Sequence, residues 1–354
     1  CSSDLVSLVA LVSGFLILNW YSTQIENDVD TKFIKNLQTE TEAKFQLKKD
    51  VGISNAVSVA NDGKIKEALL SNDRFIAIES LKNLSTSLKS STPFKNVKVH
   101  VHTKENRSFV RSWKHSKHGD DLSSFRASVV KVNSSKNAVN TFEVGKAGLS
   151  LRSVVPISQD GRHLGSLEFM QGLNSVAKAF NKNEDGFLLL MDIHKKIATP
   201  DPSKIFKEKY VISQKFVNRD FLNNANNVDM DKLLKDNYFI TDKYYYTFDY
   251  VKDFQNKKLG IAIVGSPLEK VNVAVDASKE IINVALTIIV IMIAFNLIVI
   301  ILAVNKIIVV PLDEFNEGIK NLISSSSNDS KRVAKKSDDE LGDVADNFNK
   351  YLDK

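Results

Sequence analysis

The chain is 354 residues long, 43% hydrophobic and 25% charged, with a net charge of +6. Basic and acidic residues are interspersed rather than blocked, which describes a solvated mixed surface and excludes nucleic acid as a partner. The single cysteine, Cys1, excludes a disulfide framework, so any globular part must be held by packing alone.

Two apolar runs set the class, because a helix of about 20 residues crosses the roughly 30 Å hydrocarbon core of a bilayer. Leu5 to Tyr21 holds Ser7, Ser13 and Asn19 but ends in Trp20-Tyr21, an aromatic pair favoured at a membrane interface, and is the expected first transmembrane helix, 5–21. A cleaved signal peptide is the competing reading. Against it, no basic flank or small-residue cleavage site is visible, and the helical pattern runs on through Ile25 and Val29. The chain opens with Cys1 rather than Met, so its native start is expected further upstream; a lipidated Cys-Ser-Ser start is a third reading. The second run, Ile281 to Val304, carries no charge and is the expected second transmembrane helix, 281–304.

From about Thr23 to Leu70 the pattern is helical, with Ile25, Val29, Phe33 and Leu37 on one face. Gly52 and then Asn61-Asp62-Gly63 suggest bends or breaks, and a second helix is expected from a cap at Asn72 to about Leu88. The period then becomes alternating: Val97, Val99 and Val101 face one way, Lys98, His100 and His102 the other. The next strand should carry Arg107, Phe109, Arg111 and Trp113 on one face. A helix near Leu122 to Val132 follows, then strands over about Phe142 to Ile157 and Leu164 to Gln171, joined at Asp160-Gly161. This order is that of an α+β domain with an antiparallel sheet.

A second, smaller unit starts near Asp185 with the apolar strand Gly186 to Asp192 and closes with Tyr244 to Tyr250 and Leu259 to Val264. The role of the polar stretch 212–236 between them is not legible. From Pro267 a helical pattern runs unbroken into the second span.

Beyond the span come Pro311 and then Leu312, Phe315, Ile319 and Leu322 at coiled-coil spacing. After the connector Ser324 to Ser337 stand Asp339-Glu340-Leu341-Gly342 and a second seam of Leu341, Val344 or Ala345, Phe348, and Tyr351 or Leu352. Two short amphipathic helices cannot bury their stripes alone, so a homodimeric four-helix bundle is expected. The proline after the span and the Asp-Glu-x-Gly sequence resemble the HAMP relay of bacterial chemoreceptors and sensor kinases, although the connector lacks the usual glycine. The resemblance implies a signal-relay role for Pro311, Asp339, Glu340 and Gly342.

Gly119 to Arg126, Glu143 to Arg152 and Val155-Pro156-Ile157, with Arg107 to Trp113 and Gly161 to Glu168, resemble the double Cache sensor family. That resemblance implies a long helix packed on two stacked antiparallel modules. The expected divisions are 22–184 for the long helix and membrane-distal module, 185–266 for the membrane-proximal module, and 305–354 for the relay. The family also implies that the distal module holds the ligand. The stretch Gly148 to Pro156 is similar to the Ser-Leu-Arg strand of citrate and dicarboxylate sensors, in which the arginine clamps a carboxylate, and Arg152 stands at that position.

Around Arg152 the sequence supplies further candidate ligand contacts. Arg111 and Trp113 would set a cation beside an aromatic wall. Lys146 is a possible anion contact, and Arg126 either joins the site or pairs with Asp120 or Asp121, whose simpler role is capping the following helix. His100 and His102 alternate on one face, but with no third ligand at clear spacing no metal site is assigned. No nucleophile with a base and no phosphate loop is present, so neither an enzyme nor a cofactor is expected. The whole reads as a bacterial inner-membrane receptor for a small carboxylate-bearing molecule, an organic acid or amino acid. Its expected output is chemotaxis of the methyl-accepting type, through cytoplasmic partners of an output domain beyond Lys354. The same input half would also serve a sensor histidine kinase or a diguanylate cyclase.

Overall fold

The computed structural model describes residues 2–92, 98–146, 148–324, 332–333, 335 and 340–352. It divides into two units, 1–276 and 277–354.

In the first unit, helix α1 (Ser2–Ala60) is 59 residues long, about 88 Å at the usual rise. Its buried residues Leu37, Thr41 and Phe45 recur every fourth position, and Ala56, Val59 and Ala60 continue the stripe. The helix runs unbroken through Gly52. The helix passes so close to the sheet there that a β-carbon would stand 2.3 Å from Gln171 Nε2 and 2.4 Å from Ser153 Oγ, so the glycine permits contact rather than a break. The sheet also grips the helix backbone: Gln171 Nε2 donates to the Lys48 carbonyl and Asn140 Nδ2 to that of Lys49, at 2.8 and 2.7 Å.

The break comes at Asn61-Asp62, where Asp62 caps α2 (Gly63–Ser71) by accepting from the amides of Lys64 and Ile65. Asn72 is not the start of the next helix, as expected, but the left-handed C-cap of α2; Asp73 caps α3 (Arg74–Ser91).

The first sheet comprises β1 (Lys98–Thr103), β2 (Ser108–Arg111), β3 (Val139–Gly145), β4 (Gly148–Gln159) and β5 (Arg162–Gln171) in the order β2-β1-β5-β4-β3. All its pairings are antiparallel. The single strand expected over 142–157 is a hairpin, broken between Gly145 and Gly148. One face of the sheet packs Val99, Val101, Val155, Leu167 and Phe169 against α1, α2 and α3. The opposite face lies under α4 (Ala127–Ser135), which contributes Val129 and Val132 against Val139 and Val154.

Helix α5 (Asn174–Lys182) leads to a second sheet of β6 (Gly186–Asp192), β7 (Ile205–Phe206), β8 (Tyr210–Ile212), β9 (Tyr238–Ile240), β10 (Tyr244–Lys252) and β11 (Lys258–Pro267), ordered β7-β8-β6-β11-β10-β9. The near-continuous apolar run of β6 follows from burial on both sides: Phe187, Leu189 and Met191 enter one core, Leu188 and Leu190 another. The stretch 212–236 covers that second face through α6 (Arg219–Ala225) and α7 (Met230–Asp236), which bury Phe221, Met230 and Leu233. The cluster around Phe187 also includes Leu37 and Phe45 of α1 and Phe142, Leu149 and Leu151 of the first sheet, so one core joins both sheets to the long helix.

Helix α8 spans Leu268–Val304, and its apolar stretch, with a mean hydropathy of 3.1 over 18 residues, has none of its residues buried. Among the described residues it belongs to the one helix long and apolar enough to cross a membrane. Apart from exposed Trp20, the side chains of the expected first span lie outside the described residues. In the second unit, a π-helical stretch at Asn305–Val309 precedes α9 (Val310–Ser324), with Pro311 in its first turn, and α10 spans Glu340–Leu352. Phe315 meets Phe348 edge to face at 5.6 Å, and Asn349 brackets both backbone groups of Val333. Of the alternatives for the second seam, Ala345 is buried and Val344 exposed. Glu340 is exposed, Gly342 is buried, and Asp339 lies outside the described residues.

Candidate functional site

Under α4, the first sheet buries charge. Pairing between β1 and β5 places Glu168 directly opposite His100, and Ser166 opposite His102. Since facing residues share a side of an antiparallel sheet, these groups converge on the face away from α1. Arg152 joins them from β4, on the side opposite Leu151 and Val155. Arg126 reaches in from the residue that precedes α4.

Glu168, fully buried, is the centre. Arg126 Nη2 and Arg152 Nη1 both donate to its Oε1, the latter at 2.5 Å. Its Oε2 stands 3.5 Å from His100 Nδ1 and 3.7 Å from His102 Nε2. The outer ring nitrogens are held by serines, His100 Nε2 to Ser108 Oγ at 2.8 Å and His102 Nδ1 to Ser166 Oγ at 3.0 Å. Glu143 completes the cluster. It accepts from Arg126 Nε at 2.9 Å, lies 3.5 Å from Arg152 Nε, and takes the amide and hydroxyl of Ser128 in the first turn of α4. Glu143, rather than Asp120 or Asp121, is therefore the acid at this helix N-terminus, and the helix begins at Ala127 instead of Leu122. The β3–β4 hairpin closes tightly over the arginine, for a β-carbon on Gly145 would come within 2.8 Å of Arg152 Nη2.

The electrostatics follow from burial and pairing. Burial pushes the Glu168 carboxyl up, but Arg126, Arg152 and the two imidazoles outweigh it and hold the group well below the usual carboxylate range. Burial, reinforced by the neighbouring His102, takes His100 well below an ordinary histidine, and burial lowers His102 as well.

Arg111 and Trp113 were expected to share a face with Phe109. Instead the β1–β2 register slips, so Phe109 and Val110 both enter the core while Arg111 lies opposite His100. Arg111 is closed by a two-pronged pair with Asp120, at 2.8 and 2.7 Å, and by the Lys117 carbonyl. Trp113 lies past the end of β2, 40% exposed, with its ring edge-on to His100 at 5.8 Å and beneath Lys98 Nζ. Lys146 sits exposed on the β3–β4 turn, with no hydrogen bond or ion pair to the cluster among the described residues. The structure thus brings together His100, His102, Arg111, Trp113, Arg126 and Arg152. It adds Glu143, Glu168, Ser108, Ser128 and Ser166, which no local sequence motif marks as site residues. The signal for Glu168 was present: one acid in the otherwise uncharged run Leu164 to Met170.

Beside Glu143 a cleft of about 130 Å³ is lined by Phe125, Phe142, Ile197, Asp253, Phe254 and Leu259, drawn from both sheet modules.

Residues 39–269 match the family model described as a double sensory domain of two-component sensor kinases, dCache_3. The chain belongs to this family. It thus contains a sensory double Cache domain of the kind described for two-component sensor kinases, with the long helix and antiparallel sheets described above. No curated protein matches the sequence. Similar solved structures include the ligand-binding domain of the Campylobacter jejuni chemoreceptor Tlp3 with 4-methylisoleucine, at 12% identity over 70% of this chain and 94% of that one, TM-score 0.43. Another is the V. cholerae histidine kinase DctB sensor domain, at 13% identity over 67% and 98%, TM-score 0.40. At such low identity and score these likenesses transfer no residue's role.

Proposed function

We propose that this double Cache chain is the input and relay half of a homodimeric bacterial inner-membrane receptor that crosses the bilayer twice. Its first sheet module binds a small carboxylate-bearing molecule. The observation that carries this reading is the convergence of two buried guanidiniums, Arg126 and Arg152, beside His100 and a half-exposed Trp113. A planar fork of donors suits a carboxylate, and an aromatic rim suits the rest of a small ligand.

The charge count narrows the class. Arg126 and Arg152 are balanced by Glu143 and Glu168, so a simple anion that takes an arginine leaves a glutamate stranded. A zwitterion supplies an ammonium for the glutamate it displaces, which favours amino acids over dicarboxylates. Glu143 borders the 130 Å³ cleft, small beside the ~300 Å³ and more of drug-sized sites, which favours a ligand of few heavy atoms.

Binding shifts the relay only if the ligand prefers one of two arrangements of the dimer. That bias would pass along α8 to Pro311, Asp339, Glu340 and Gly342. Chemotaxis is the output we favour; the family's description as a kinase sensor supports a histidine kinase as the second reading.

A thermal-shift screen of the full chain in detergent against amino acids and organic acids tests the site. Amino acids should raise the melting temperature, and Arg152→Lys, which keeps the charge but loses the fork, should weaken the effect at least tenfold in apparent affinity. No stabilisation by either class, or an unaltered response in Arg152→Lys, refutes it.

A further inference from the structure

His100, His102 and Glu168 direct three donor atoms at one point, and all three side chains are buried. Two residues apart on β1, the histidines present their rings on the same face, with centroids 4.1 Å apart. Glu168 meets them from β5. One ligand atom from each of the three residues lies within 4.8 Å of the other two, and His100 Nδ1 and His102 Nε2 are the nitrogens nearest Glu168 Oε2. The two nitrogen–oxygen separations, 3.5 and 3.7 Å, exceed hydrogen-bond length, and both His102 Nε2 and Glu168 Oε2 are left without a hydrogen-bond partner. They match the edge of a tetrahedron of ligands about 2.1 Å from a central ion, roughly 3.4 Å.

The outer shell is equally specific. Ser108 and Ser166 hold the outer nitrogens, and a ring that donates outward presents a bare lone pair inward. Arg126 and Arg152 occupy only Oε1 of the carboxylate, which leaves Oε2 turned toward the imidazoles. In the tautomers in which both rings donate to their serines, three lone pairs face one another with no proton between them, and a cation at their centre removes that conflict.

We propose that His100 Nδ1, His102 Nε2 and Glu168 Oε2 form a binding site for one divalent transition-metal ion of the zinc or copper class. Two imidazoles and one carboxylate suit such ions, whereas magnesium and calcium require more oxygen donors. Three protein ligands leave a fourth position open to a water or to a bound carboxylate. The two arginines add positive charge nearby, so the ion binds reversibly rather than as a permanent structural element.

The test is direct metal binding, independent of any organic ligand or signalling output. Tag-free full chain in detergent, stripped with a chelator, is dialysed against Zn²⁺ or Cu²⁺ and its metal content measured. The His115→Ala/His118→Ala double variant removes two other histidines. One ion per chain is expected, retained in that double variant, with Mg²⁺ and Ca²⁺ failing to compete. His102→Ala should lower affinity at least tenfold. Pulsed electron paramagnetic resonance of the Cu²⁺ form of the double variant should show two imidazole nitrogens on the ion, a readout that stands even where His102→Ala fails to fold. Absence of binding with metal in excess over the chain, loss of the ion in the double variant, a Cu²⁺ spectrum without two imidazoles, or unchanged affinity in a folded His102→Ala would each overturn the site.

Discussion

Arg126 and Glu168, 42 residues apart in sequence, form an ion pair in which the side chains are only 7% and 0% exposed. A buried carboxylate between two guanidiniums is tolerated because each charge has a partner, and it becomes costly when one is removed.

Glu168→Gln should therefore destabilise the chain by about 3–5 kcal/mol, because it leaves two arginines sharing Glu143 alone. Substituting Glu168 and Arg126 together, by Leu and Met, should cost less than Glu168→Gln. Urea unfolding of the first module followed by Trp113 fluorescence checks this, and a double variant worse than the single one would contradict the pairing.

The Arg111–Asp120 pair sets an acid limit. Hydrogen bonds from Arg111 lower Asp120 to about 2, from roughly 3.9 in an unfolded chain. A depressed carboxylate stabilises fully above the unfolded value, and the contribution is lost as pH falls toward 2. Asp120 is partly exposed, so after screening the contribution is about 1 kcal/mol. Asp120→Asn should remove that much at pH 7 and only a small part of it near pH 2, measured by chemical denaturation across the range.

Asp249 on β10 behaves oppositely. Burial, helped by Glu42 on α1, raises it to about 6. The stabilising form is the protonated one, present in full below about 3.9 and lost as pH rises through 6. Asp249→Asn should leave stability at pH 4 unchanged and raise it by about 1–2 kcal/mol at pH 8. A variant equally affected at both pH values would show that the carboxyl is not strained.

Alternation in 98–102 was enough to separate Val99 and Val101 from His100 and His102, and the Asn61-Asp62-Gly63 break was legible because an Asp cap has a local signature. The acids were harder to read. Glu168 faces His100 through a β1–β5 pairing that no local pattern encodes, and the pairing of Gly145 with Gly148 splits what looks like one strand. The slip that sends Phe109 into the core reversed the expected face, since one extra residue inverts every side chain beyond it. Gly52 read as a breaker because its reason, a sheet pressed against the helix, lies about a hundred residues onward at Ser153 and Gln171.

The first turn of α8 is tied to the second sheet by one buried acid. Asp185, 3% exposed, accepts from Lys270 Nζ at 2.9 and 3.0 Å and from Ser266 Oγ at 2.5 Å, while Lys270 also reaches the Asn183 carbonyl. Lys270→Met keeps the aliphatic stem but leaves Asp185 with the serine alone, a loss of about 1–3 kcal/mol. Because the lysine side chain is 43% exposed, the lower end of that range is expected. The Lys270–Asp185 pair joins α8 to the residue just before β6, while Ser266 on β11 keeps its own bond to Asp185 and its ladder pairing with Tyr245, so the effect should be local: hydrogen exchange should quicken over residues 268–275 while the β11 amides paired with β10 keep their protection. Uniform acceleration across β11 and α8 would mean that the pair supports the whole module rather than the docking of its exit helix.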